Sequence, residues 1–169
     1  MVHDSTTIAL PRYAKCFVCG RQNPMGLDVT FYYTAGRIET TFVPGRHHAG
    51  YREVVHGGIL ATLLDECMGW SAILSQTVLC VTADISIRYK SSAKVGEPLR
   101  VYGELATDKK RIILARGGIE KEDGVVVCSG EGKYVPLSPE EQQAVIDYAG
   151  WGEEFARVCS RIQQMRKRR

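Results

Sequence analysis

The sequence predicts an α+β fold: an antiparallel sheet wrapped around one long central helix, with peripheral helices at the C-terminus. Three observations predict it. From Gly57 to about Ser75, apolar residues fall at Ile59, Leu60, Leu63, Leu64, Cys67, Met68, Ile73 and Leu74, a helical stripe wide enough for a mostly buried helix. Directly afterwards Val81, Ala83, Ile85, Ile87 and Tyr89 alternate with Thr82, Asp84, Ser86, Arg88 and Lys90, the period of a strand with one apolar and one polar face. Strand-like runs lie on both sides of the helix, and a sheet of antiparallel strands closed over it is the simplest packing that buries it.

Taken in order, residues 1–15 read as a loose or peripheral lead-in. Residues 27–33 and 37–43 are β-rich, with Thr34-Ala35-Gly36 as the hairpin turn between them. A loop rich in Gly, His and Arg covers 44–55 and delivers the chain to the helix. After the alternating strand come three more, at 99–107, 111–120 and 125–135, with turns at Asp108-Lys109-Lys110 and Glu122-Asp123-Gly124. Ser138-Pro139-Glu140-Glu141 is a capping box with proline at the first helical position. It opens a helix that should end at Gly150. A last helix, 153–165, carries Phe155, Val158, Ile162 and Met165 on one face. The expected organisation is a lead-in at 1–15, one domain at 16–137 and a helical extension with a basic tail at 138–169.

With 169 residues, 44% of them hydrophobic and 24% charged, the chain can bury a core without staples. A net charge of +3, partly due to Arg166, Lys167, Arg168 and Arg169 at the end, is too mild to argue for nucleic acid. No run of 18 apolar residues or basic-then-apolar start appears, so neither a membrane partner nor export is expected, and the expected home is the cytoplasm. Of the cysteines, Cys67, Cys80, Cys128 and Cys159 sit in apolar patterns and read as reduced core residues. Cys16 and Cys19 form one CxxC without a second pair. Only His47 and His48 stand out as residues to complete a four-ligand zinc site, so the pair reads as a local turn and no metal is expected.

The chemistry concentrates in His56-Gly57-Gly58 and Asp65-Glu66. Two glycines at a helix start leave backbone N–H groups open to a ligand oxygen, and the helix dipole favours negative charge there. Such a terminus can hold an oxyanion. Asp65 shares a helix face with Ala61, Met68, Gly69 and Ala72. A carboxylate in that setting is either a base that activates water or a structural group capping a loop or pairing with an arginine. Glu66, about 100° round the helix with Thr62 and Trp70, is expected in solvent or in an ion pair, with substitution for Asp65 as the alternative. His56 is expected to cap the helix; orienting the loop and, as a catalytic group, polarising the carbonyl are its alternative roles. Gly57 and Asp65 are separated by about 12 Å of helical rise, too far to touch one carbonyl together. Either one of them is not catalytic, or two copies of the helix meet across a twofold axis and each supplies one group.

These residues resemble the hotdog-fold acyl-CoA thioesterases. The resemblance rests on Val55-His56-Gly57-Gly58 with Asp65, on residues 81–89 and 93–99, and on Cys16-Phe17-Val18-Cys19-Gly20 with Asn23-Pro24-Met25-Gly26-Leu27. It is closest to the small thioesterases that include phenylacetyl-CoA-pathway enzymes and human thioesterase superfamily members. It implies that Asp65 is general base or nucleophile, that the Gly57 N–H of a partner chain is the oxyanion donor, and that Thr82 stands where some relatives carry a serine assisting the water. The alternation, however, puts Thr82 on the polar strand face. Relatives often carry an asparagine before HGG, where this chain has His47, His48, Ala49 and Gly50. The implied substrate is an acyl-CoA, with no cofactor beyond the CoA it carries. The implied assembly is a homodimer or a dimer of dimers. Gly58, Arg88, Lys90, Lys94 and Arg116 are the candidates for binding CoA, the four cations through its phosphates. Enoyl-CoA hydration, which would need a histidine downstream of the aspartate, is excluded because none follows His56. A non-catalytic acyl-CoA sensor remains the alternative, with a scaffold whose Cys16/Cys19 pair binds zinc as a third possibility.

Overall fold

The computed structural model describes residues 7–167; the first six residues and Arg168 and Arg169 of the expected basic tail lie outside the described residues. Ten elements follow one another: β1 (Ile8–Ala9), β2 (Tyr32–Thr34), β3 (Arg37–Phe42), α1 (Gly57–Gln76), β4 (Cys80–Tyr89), β5 (Leu99–Asp108), β6 (Ile113–Lys121), β7 (Val126–Pro136), α2 (Pro139–Ala149) and α3 (Gly152–Lys167). The strands form one antiparallel sheet in the order β1-β2-β3-β5-β6-β7-β4. Chain and sheet order differ at one place. After β3 the chain passes through α1 to the far edge, lays down β4 there, and returns to pair β5 with β3.

That excursion puts α1 against the sheet, where Leu63, Leu64, Cys67 and Met68 are fully buried against the strands. By length and composition α1 could cross a membrane, but half of its apolar stretch is buried inside the fold. The approach to the sheet is close because β5 carries a glycine at the crossing. A Cβ at Gly103 would stand 2.7 Å from the main-chain oxygen of Cys67. The helix ends at Thr77, which is left-handed (φ 58) and donates its N–H to Ile73.

Three sequence expectations change in the fold. The residues just before 15 are not loose: β1 pairs with β2, and Ile8 and Leu10 are buried. In 27–33 the alternating Leu27, Val29 and Phe31 are buried as a strand's would be. Their hydrogen bonds, however, go to Phe17, Val18 and Leu10 rather than to a sheet ladder, and Asp28 interrupts with φ 52. The C-terminal extension is only half peripheral. α2 is capped as expected, Ser138 accepting from Glu141 and Glu141 from Ser138, and it buries nothing. α3 buries Phe155, Val158, Cys159 and Ile162 in the common core, and Arg166 donates to the Leu74 carbonyl near the end of α1 at 2.6 Å.

The Gly103 contact meets helix backbone, which cannot rotate out of the way. Gly103→Ala should therefore lower stability by about 1–3 kcal/mol in urea unfolding followed by circular dichroism, whereas Gly124→Ala, at an exposed turn with φ 84 and open space around it, should lose less.

Candidate active site

Asp65 sits halfway along α1, facing the start of β4. Its Oδ1 accepts the Thr82 hydroxyl at 2.8 Å and the Tyr134 hydroxyl at 3.2 Å. Burial, reinforced by the Asp65 charge, raises the Tyr134 phenol well above its ordinary value, so it remains a donor. Among the described residues no cation pairs with Asp65. The arginine-paired reading of this carboxylate is thereby set aside.

Thr82 reaches Asp65 because of a bulge. β4 pairs Thr82 with Tyr134 and then Asp84 with Lys133, leaving Ala83 without a counterpart. One extra residue moves everything before it to the opposite face. Asp84 points outward to Lys133 at 2.7 Å, while Thr82, expected beside it on the polar face, turns towards α1.

Asp65 and Thr82 line a cavity of about 290 Å³ whose other walls include Gly69, Trp70, Ile73 and Trp151. The Trp70 and Trp151 rings are 5.7 Å apart. Trp151 lies between α2 and α3, so the extension at 138–169 walls the site. Met68, on the Asp65 face of the helix by its spacing, is sealed in the core.

At the start of α1, His56 caps the helix as expected. Its Nδ1 accepts the Gly58 N–H at 2.9 Å and its carbonyl accepts the Ile59 N–H at 3.0 Å. The Gly58 N–H is thus spent, which removes it as a ligand donor. No acceptor takes the Gly57 N–H among the described residues. The Tyr89 hydroxyl, at the far end of β4, donates to the Gly57 carbonyl at 2.8 Å. The His48 carbonyl accepts the His56 N–H at 2.8 Å, but the His48 ring turns elsewhere. His48 is buried against Phe42, accepts the Gly45 N–H at 2.9 Å, and is held below its ordinary pKa by burial and then by His47.

The four basic candidates separate. Arg88, Lys90 and Arg116 line a depression of about 600 Å³ that also holds Glu104 and Glu131. By strand alternation it lies on the sheet face turned away from α1. Arg116 is committed to Glu104 at 2.8 Å. Lys94 is exposed and pairs in register with Val54, next to the approach to His56. Within one chain, then, Arg88, Lys90 and Arg116 are not brought to Asp65. Sequence reasoning gave Tyr134 no role at this site, and Glu66 only that of a substitute for Asp65. Glu66 does lie by Trp70, but it meets no solvent-facing cation; burial, then Cys16 and Asp65, push its carboxyl up to about 7.

The family model of the thioesterase superfamily matches residues 53–128, the span from just before α1 into β7. A crystal structure of a thioesterase superfamily protein is 31% identical with a TM-score of 0.67, covering 72% of this chain and 60% of that one; this chain thus spans under two thirds of that relative's length. A hypothetical thioesterase of Streptococcus pneumoniae, solved with coenzyme A, is 25% identical with a TM-score of 0.57, covering 61% and 80%. The PaaI protein of E. coli, from the phenylacetic acid degradation operon, shares the fold at 18% identity and a TM-score of 0.61, covering 66% and 81%. No curated protein matches the chain by sequence. The fold is that of the hotdog thioesterases.

Replacing the cap tests the helix start. His56→Ala should lose about 1 kcal/mol of stability in chemical denaturation, while His56→Asn, which can accept the same N–H, should recover most of it.

Proposed function

From a hotdog fold with a thioesterase-superfamily segment at its centre, we propose that the protein hydrolyses acyl-CoA thioesters at a site built from two protomers. The observation that carries this reading is the Asp65 carboxylate: held by two hydroxyls through one oxygen, unpaired with any cation among the described residues, and set in the wall of an apolar cavity. A carboxylate fixed in that way, with its second oxygen free, suits taking a proton from water.

In this mechanism the acyl group enters the cavity between Trp70 and Trp151. Asp65 removes a proton from a water molecule, whose oxygen attacks the thioester carbonyl. The carbonyl oxygen gathers negative charge and is met by the unspent Gly57 N–H at the positive end of α1. As the tetrahedral centre collapses, the C–S bond breaks and the CoA sulfur leaves, taking up the proton that Asp65 received. The products are the free acid and CoA. Asp65 reorients little, because Thr82 and Tyr134 hold its other oxygen.

The Gly57 donor comes from the partner protomer. Within one chain Gly57 lies about 12 Å along the helix from Asp65. β4 is an edge of the sheet, with Val81 and Tyr89 half exposed, and an unpaired edge strand is a template for pairing. Thr82 and Asp65 mark one end of β4; Tyr89 and Gly57 mark the other. A twofold axis through the middle of β4, near Ile85 and Ser86, brings the Gly57 end of one protomer to the Asp65 end of its partner. Lys94, close to the same helix start, is then placed to meet a CoA phosphate.

The test is thiol release from a panel of short, long and aromatic acyl-CoAs. Asp65→Asn should keep acyl-CoA binding while kcat falls by about a hundredfold or more, and Thr82→Val, which removes one hydrogen bond to the charge, should lower it by about tenfold or more. Tight binding without thiol release from any acyl-CoA would make the protein an acyl-CoA sensor instead.

A further inference from the structure

The hydrolytic reading leaves one group of side chains unused. Cys16, Cys19 and Glu66 place a thiol sulfur, a thiol sulfur and a carboxylate oxygen within 4.8 Å of one another. All three line the cavity that holds Asp65. The sequence offers only His47 and His48 to complete a site with the CxxC, but His48 packs against Phe42 and His47 against His48. The fold supplies a different third group, from the middle of α1.

The loop around the cysteines is shaped to receive a thiolate. The backbone N–H groups of Val18 and Cys19 both point at the Cys16 sulfur, at 3.3 and 3.4 Å, so that sulfur accepts two hydrogen bonds rather than donating one. The chain then closes tightly, with the Gly20 N–H on the Cys16 carbonyl at 3.1 Å. A Cβ at position 20 would stand 2.3 Å from that oxygen, so the loop in this form requires glycine there. Arg12 ties the loop from behind by donating to the Cys19 carbonyl at 2.6 Å.

Glu66 is the second, independent observation. No cation forms an ion pair with it among the described residues. The Trp70 indole is the neighbour that favours its charged form, while burial, Cys16 and Asp65 oppose it. A carboxylate facing two thiols is costly unless it holds its proton or a cation joins them. The same cavity wall contains the indole N–H of Trp151, which is buried and has no acceptor.

We propose that Cys16, Cys19 and Glu66 bind a zinc ion that fastens the N-terminal loop to α1 beside Asp65. Two sulfurs and one carboxylate form a donor set that suits Zn²⁺ over Mg²⁺ or Ca²⁺. A tetrahedral site with Zn–S of about 2.3 Å and Zn–O of about 2.1 Å has ligand–ligand edges of about 3.5–3.8 Å, so the three atoms need to draw in by about an ångström. The fourth position opens into the cavity. Two thiolates and a carboxylate carry three negative charges, of which the ion neutralises two, with Arg12 close by.

The experiment uses the full chain, kept reduced and then stripped of metal, titrated with Zn²⁺ against a chromophoric chelator. Parallel Co²⁺ titrations are read for thiolate-to-metal charge-transfer absorption. One equivalent of Zn²⁺ per chain is expected, with the Co²⁺ form showing the thiolate band and the melting temperature rising on Zn²⁺ addition. Cys16→Ser with Cys19→Ser should weaken Zn²⁺ binding by at least about a hundredfold and abolish both the band and the shift, and Glu66→Gln should weaken binding by about tenfold with the band retained. No stoichiometric Zn²⁺ binding by the reduced parent chain would overturn the site. So would equal binding by the parent and the double serine variant. Because the readout is metal binding and not thiol release, neither result depends on the hydrolytic reading.

Discussion

A carboxylate carried into an apolar core on a helix must be held by donors, and the 2.8 Å hydrogen bond from Thr82 to Asp65 is the contact on which the candidate site turns. It exists because α1 lies almost on the sheet at Gly103 and because β4 gains one residue at Ala83. Without the bulge, the strand would present Thr82 to the outside with Asp84. The Asp65 carboxylate would then keep Tyr134 alone, at 3.2 Å, and the desolvation cost of its charge would be poorly offset. The bulge thus converts an ordinary edge strand into one wall of a polar point within an apolar cavity.

Much of this was legible in the sequence, and the reasons differ from residue to residue. The long stripe from Ile59 to Leu74 could only be a buried helix, so the central element, its glycine start and the His56 cap were readable. Asp65 stood out because a charge on that stripe demands an explanation. Thr82 could be read from a family resemblance but not from alternation, since period-two reasoning breaks down where a bulge adds a residue. Tyr134 gave no local signal: it is a strand aromatic like others, and only the pairing of β4 with β7 brings it to Asp65. Glu66 was read by angle correctly and by environment wrongly. Its surroundings come from residues 13–19 and the C-terminal segment, and long-range packing of that kind leaves no trace in helical periodicity.

The two ends of the chain therefore matter more to the site than their positions suggest. The N-terminal loop brings Tyr13, Cys16 and Cys19 to the cavity, and the C-terminal extension brings Leu137, Val145 and Trp151. Tyr13 and Tyr148 meet at 5.4 Å between ring centres, joining the two ends over it. The sheet and α1 place the carboxylate, and these terminal segments shape the space into which it faces. A zinc ion on Cys16, Cys19 and Glu66 would couple the two, since one of its ligands is the residue next to Asp65.

The central claim is that one protomer supplies Asp65 and its partner supplies the Gly57 N–H, and mixing of inactive chains tests it most directly. Asp65→Ala removes the carboxylate. Gly57→Pro removes the N–H at little backbone cost, because proline is favoured at the first helical position and His56 already has the extended backbone (φ −63, ψ 133) that proline requires before it; its Cβ would stand 3.4 Å from Tyr89, an ordinary contact. Each variant alone should be inactive. After subunit exchange, confirmed by mass spectrometry, about half of the dimers are mixed and each mixed dimer holds one intact site of two, so about a quarter of the parent activity should return. A fully exchanged mixture that stays inactive would contradict the shared site.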